Sequence, residues 1–319
     1  MITRRAFIGT VTGALLAGPL AAEAQPLGKV YKIGFLSPLP GEDPALGPLL
    51  QGLHDLGYDE GRNLVVERRY AGGRREYLPI LASELADLEI DLLVSSGSAA
   101  TIAAKPVSRR LPVAFVSLDL DDSLARPGSN LTGVALTNSE EISAKWVELI
   151  HDALPAARRV AILWDPTSPR TQLRSAEASA KSLSFAAGTI LGHTSAETDA
   201  AFEAAIKQRA EAIVVLSSAS FAYRKQQLVA LSVRHRLPGI YDRREFVEAG
   251  GLMALGPAPG SVGRLLAAQV DKILKGAKPA DLPMEQPTKF ELVINVKTAK
   301  ALGLTIPQSL LLRADEAIQ

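Results

Sequence analysis

Arg159-Val160-Ala161-Ile162-Leu163-Trp164 is an apolar run closed by Asp165, and Ala212-Ile213-Val214-Val215-Leu216 is another, closed by Ser217. Short, unbroken runs of this kind predict strands buried on both faces. Between them lie two stretches of helical character, Pro169–Ala187 and Thr198–Arg209; after them Phe221–Arg236 leads to a further run, Pro238–Tyr241. Strand, helix, strand in repetition predicts βαβ units and a parallel sheet with helices on both sides. The fold class is α/β, doubly wound.

Working outward, the same alternation stands earlier in the chain. Apolar runs at Val30–Ser37, Asp91–Ser95 and Pro112–Leu118 alternate with helices over Ala45–Leu56, around Leu81, Leu85 and Leu88, and from Ala99 to Ala104. The second set opens with a helix over Glu140–Ala153. After Gly250-Gly251 follow Leu252–Leu255, a helix with Val262, Leu266, Val270 and Ile273 on one face, and a strand-like Phe290–Val296. No long Ser/Gly linker separates the halves, which predicts two lobes joined by several crossing strands, near Val134, Leu252 and Leu292. The expected division is 29–136 with 252–284 in one lobe, and 137–251 with 285–319 in the other.

Residues 1–24 read as a signal peptide. Arg4-Arg5 begins it, an uncharged stretch runs from Ala6 to Ala22, and Ala22-Glu23-Ala24 is a small-x-small cleavage pattern. The stretch is shorter than the roughly 20 residues of a spanning helix and contains Gly9, Gly13, Gly18 and Pro19. The paired arginines are similar to a twin-arginine export signal, with Sec export the alternative. The expected location is the periplasm.

With 35 Lys+Arg against 34 Asp+Glu and 5% aromatic residues, neither a nucleic-acid surface nor a stacking platform is expected. Cysteine is absent, which excludes disulfides, thiolate nucleophiles, Cys-ligated metals and an acylated-Cys lipoprotein anchor. The four histidines stand singly, without metal-ligand spacing, and no nucleotide loop or G-x-S-x-G elbow occurs. No enzyme chemistry, metal or cofactor is expected.

What stands at the strand ends carries more. Ser37, Ser96-Gly97-Ser98-Ala99 and Asp119 follow strands in the first half; Trp164-Asp165, Ser217-Ser218 and Tyr241-Asp242 do so in the second. Ligands of open parallel sheets bind just outside these ends, although each residue alone would equally serve as a helix cap. Ser96–Ser98, before a helix, suits a carboxylate; Asp119 or Asp242 suits an ammonium; Trp164, Phe221 and Tyr241 could cover an apolar side chain. The expected solute is small, carboxylate-bearing and amino-acid-like.

The C-terminal stretches Lys275–Pro283, Glu285–Asn295 and Lys297–Leu304, with Ala125-Arg126-Pro127-Gly128 and Arg244–Leu252, make the chain similar to one group of ABC-transporter substrate-binding proteins. That group is the tryptophan-binding-protein-like receptors of periplasmic binding protein type I fold. The resemblance implies a receptor of two lobes and three crossing strands that closes on a solute and delivers it to a permease; the chain is expected to be a monomer. A ligand-sensing subunit on the same fold is the alternative. It also implies ligand-facing loops at Ser37, Ser96–Ala99, near Asp119, Trp164–Thr167, Ser217–Ser220 and Tyr241–Arg243. The Leu118–Leu124 loop is shorter than the corresponding loop of many relatives.

Overall fold

A computed structural model of the chain describes residues 29–118, 130–136 and 139–319. The segment 1–24, expected to be a signal peptide, and Asp119 lie outside the described residues. The first part runs β1 (Tyr31–Ser37), α1 (Leu46–Asp55), β2 (Leu64–Tyr70), α2 (Leu78–Asp87), β3 (Leu92–Ser96), α3 (Ser98–Ala104), β4 (Val113–Ser117) and β5 (Leu131–Ala135). The second runs α4 (Ser139–Ala153), β6 (Arg159–Trp164), α5 (Arg170–Ser182), β7 (Ala186–Leu191), α6 (Ser195–Lys207), β8 (Ala212–Val215), α7 (Ala219–Tyr223), α8 (Lys225–Arg234), β9 (Gly239–Tyr241), α9 (Arg244–Glu248) and β10 (Met253–Pro257). Then follow α10 (Ser261–Leu274), β11 (Phe290–Asn295), α11 (Val296–Ala301), α12 (Gln308–Leu311) and β12 (Glu316–Ile318).

The strands form two sheets. One is parallel, in the order β2-β1-β3-β4-β5; the other runs β12-β11-β10-β9-β8-β6-β7, parallel except where β10 meets β11. Each sheet is apolar on both faces, as the unbroken runs require. In the first, Ile33, Phe35 and Val94 face α1 and α10, while Leu36, Leu93 and Phe115 face α2 and α3. In the second, Val160, Ile162 and Trp164 face α4 and α5, while Ala161 and Leu163 face α6 and α8. The period-2 alternation of each strand therefore feeds two cores, one on either side.

Three passages link the sheets: from β5 to α4, from β10 to α10, and back before β11. Residues 252–284 do not move to the first lobe as one piece, as the sequence predicted. β10 pairs with β9 and β11 in the seven-stranded sheet, whereas α10 packs on α1, β4 and β5. Glu285, expected in the second lobe, bridges Val134 at the edge of the first sheet. The predicted helix Pro169–Ala187 stops at Ser182; Ser184 takes φ 60° and Ala186 already belongs to β7. The predicted helix Phe221–Arg236 is broken into α7 and α8 at Arg224.

Candidate functional site

Strands of a parallel sheet all point one way, so their C-terminal loops gather along one rim. Here the rims of the two sheets face a common cleft of about 240 Å³, lined from both lobes and from the passages between them. This volume lies below the roughly 300–1,000 Å³ of sites for drug-sized ligands and suits a small solute.

From the first lobe, Ser96, Gly97, Ser98 and Ala99 line the cleft, with Ser117 and Leu118 beside them. Gly97 takes φ 82°, which lets the chain turn from β3 directly into α3. The Ser98 and Ser117 hydroxyls lie 2.8 Å apart, so two strand ends present a joined pair of hydroxyl groups. Ser37 does not face the cleft. It is fully buried, and its hydroxyl donates to Asp43 Oδ2 at 2.6 Å. Asp43 is the residue that reaches the cleft wall. It stands beyond the strand end, in the loop before α1, where position along the strand gives no sign of it.

From the second lobe come Thr167, Ser168, His193, Ser217, Ser218, Ser220, Asp242 and Arg243. Asp165, expected at the solute, instead lies beneath them as a buried hub. It accepts from Thr167 N and Oγ1 at 2.8 Å each and from Ser218 Oγ at 2.5 Å, and sits 3.1 Å from His193 Nδ1. Burial alone would raise the Asp165 carboxyl, but bonds from His193, Ser218 and Thr167 outweigh it and hold it below its ordinary value. His193 is raised in return, chiefly by its bond to Asp165, with a smaller push in the same direction from the Gly73 backbone of the other lobe. The His193 backbone is fixed too: its N–H donates to Glu197, which closes the Thr194–Glu197 capping box of α6.

Asp242 lines the cleft, yet both its oxygens are engaged by Arg243, at 3.1 and 2.9 Å. Arg243 is correspondingly raised: burial lowers it, but Asp242 outweighs that. The three expected aromatic covers are core residues. Trp164 packs against α4 and α5, Phe221 belongs to the core on the other face, and Tyr241 is fully buried with its hydroxyl 2.8 Å from Ser232. The apolar wall is built toward the passages, by Leu118, Leu136, Ile142, Trp146, Val262 and Phe290. Trp146 is fixed there by a bond from Nε1 to the Leu255 carbonyl at 2.8 Å. Helical spacing within α4 places Ile142 and Trp146 on one face, a signal the sequence did contain.

Two α/β lobes, three passages and a polar cleft between strand ends define a solute receptor of periplasmic binding protein type I fold. The family model for ABC transporter substrate binding proteins matches residues 34–318, and the chain belongs to that family. A structure of a conserved domain protein from Vibrio cholerae superposes with a TM-score of 0.79 at 26% identity, covering 91% of this chain and all of the other. A Streptococcus pneumoniae ABC domain in complex with L-Trp gives 0.79 at 25%, with the same coverage. A tyrosine-binding protein of Clostridioides difficile is 22% identical over 83% of this chain and 78% of its own length.

Proposed function

We propose that this substrate-binding protein closes on a small amino-acid-like solute with an apolar, aromatic-sized side chain and passes it to the permease of an ABC importer. The observation that carries the reading is the cleft's division into a hydroxyl-rich polar part and an apolar wall containing Trp146 and Phe290. The solute's carboxylate goes to the Ser98 and Ser117 hydroxyls and the N–H groups that open α3, which no helical carbonyl uses. Its side chain goes to the apolar wall, where full burial of a phenyl-sized group stabilises by about 1.5–3 kcal/mol. The L-Trp and tyrosine ligands in the relatives' names fit the same division. The basic start and the cleavage pattern at 22–24 support export of the chain and a mature protein beginning at Gln25, which N-terminal sequencing reads directly.

The test is a thermal-shift screen of amino acids and simple carboxylates, followed by calorimetry. An aromatic amino acid should raise the unfolding midpoint, and Ser98→Ala should weaken its binding by about 1–3 kcal/mol. Binding of an uncharged sugar alone, with no response to any amino acid or carboxylate, would overturn the assignment.

A further inference from the structure

We propose that Asp43 is the residue that reads the solute's ammonium group, making the site selective for amines over the corresponding plain carboxylates. The proposal rests on the amino-acid reading above and goes past it by assigning the charge that distinguishes an amino acid from its deaminated analogue.

Asp43 is 3% exposed and lines the cleft. Its Oδ2 accepts from Ser37 Oγ at 2.6 Å and its Oδ1 from Ala45 N at 2.8 Å. An ionised carboxylate offers about four acceptor positions, so these two hydrogen bonds leave room for a further donor. Among the described residues no Lys, Arg or His forms an ion pair with Asp43. The guanidinium facing it from the other lobe, Arg243, is committed to Asp242 through two bonds. Arg243 therefore acts on Asp43 through charge at a distance and donates no hydrogen bond to it, so a buried carboxylate with open acceptor positions gains by taking a cationic donor from the solute. The other acidic residues on the cleft wall differ in kind: Asp242 is already neutralised by Arg243, and Glu245 is exposed to water. Ser37, whose hydroxyl holds Oδ2, keeps the carboxylate turned in one direction and so acts as a positioning residue.

Asp43 also begins α1, because its Oδ1 accepts from Ala45 N and its carbonyl from Leu46 N. Asparagine keeps that turn while removing the charge, so Asp43→Asn separates the two roles. The experiment is calorimetry on the full mature chain with L-phenylalanine, L-tyrosine and L-tryptophan. Each is paired with its deaminated counterpart: 3-phenylpropionate, 3-(4-hydroxyphenyl)propionate and indole-3-propionate. The wild type should prefer the amino acid by tenfold or more. Asp43→Asn should lose about 10- to 150-fold for the amino acid, the range of hydrogen bonds to charged groups, and less than threefold for its counterpart. Ser37→Ala should shift the preference in the same direction by a smaller factor, which supplies a second variant should the first fail to fold. Equal losses for both members of a pair, or a wild type that binds them equally, would overturn the assignment of Asp43 and leave the amino-acid reading standing. A wild type that binds none of the six overturns both.

Discussion

Asp165 and His193 each hold the other's charge, and the pH dependence of stability follows from the directions of their shifts. His193 is raised above its ordinary 6.5, so the stability it contributes is complete below 6.5 and is lost as pH climbs through the folded value. Asp165 is lowered below 3.8, so its part is complete above 3.8 and lost as pH falls through the folded value. The couple is at full strength between those limits. The unfolding midpoint of the wild type should therefore fall as pH rises from 6.5 toward 9, and His193→Gln, which cannot titrate, should remove that share of the slope. An unchanged slope in the variant would detach His193 from the effect. At this scale the sequence was a partial guide. Asp165 and Ser218 were legible as polar residues at strand ends, but position on the rim does not reveal that one bonds the other at 2.5 Å beneath the cleft. Trp164 was open to a better reading, because it stands two residues from Ile162 and four from Val160 and shares their core face.

α1 and α10 meet without room for side chains at two positions. A Cβ on Gly263 would stand 2.5 Å from the Pro48 backbone, and one on Gly52 would stand 2.8 Å from the Ala267 Cβ. This close approach seats α10 on the first lobe, and α10 in turn carries Val262 to the apolar wall of the cleft. Gly263→Ala must push the helices apart, since the obstacle is backbone, and should cost about 1–3 kcal/mol in denaturant unfolding. A loss below a few tenths of a kcal/mol would mean that the pair slides apart freely. The central strands were legible because burial on both faces leaves a continuous apolar run. β2 and β7 were not, and both are edge strands: β7, Ala186–Leu191, has only Ile190 buried. An edge strand covered on fewer sides carries polar and small residues, so its sequence merges with the helix before it.

Across the whole molecule the two lobes already touch at the cleft. Gly41 of the first abuts Tyr223 of the second, where a Cβ would lie 3.0 Å from the hydroxyl oxygen, and Gly97 faces Ala219. Sheet membership at this scale was not legible from chain order, because β10 and the helix that follows it belong to different lobes. The consequence is mechanical. Asp43 and Ser98 stand on one lobe and Ser218 and Asp242 on the other, so a solute touches both sets only when the lobes are together. Binding then favours the closed arrangement by the difference in contacts between the two states. Small-angle scattering should give a smaller radius of gyration with a saturating amino-acid ligand than without it. Gly41→Leu places a wedge against Tyr223 at a position whose backbone tolerates a side chain, so it should leave the fold intact, weaken the ligand about tenfold and reduce the contraction. If the variant binds as tightly as the wild type and contracts as far, the contact at Gly41 is incidental to closure, and the coupling between the lobes must run through the three passages alone.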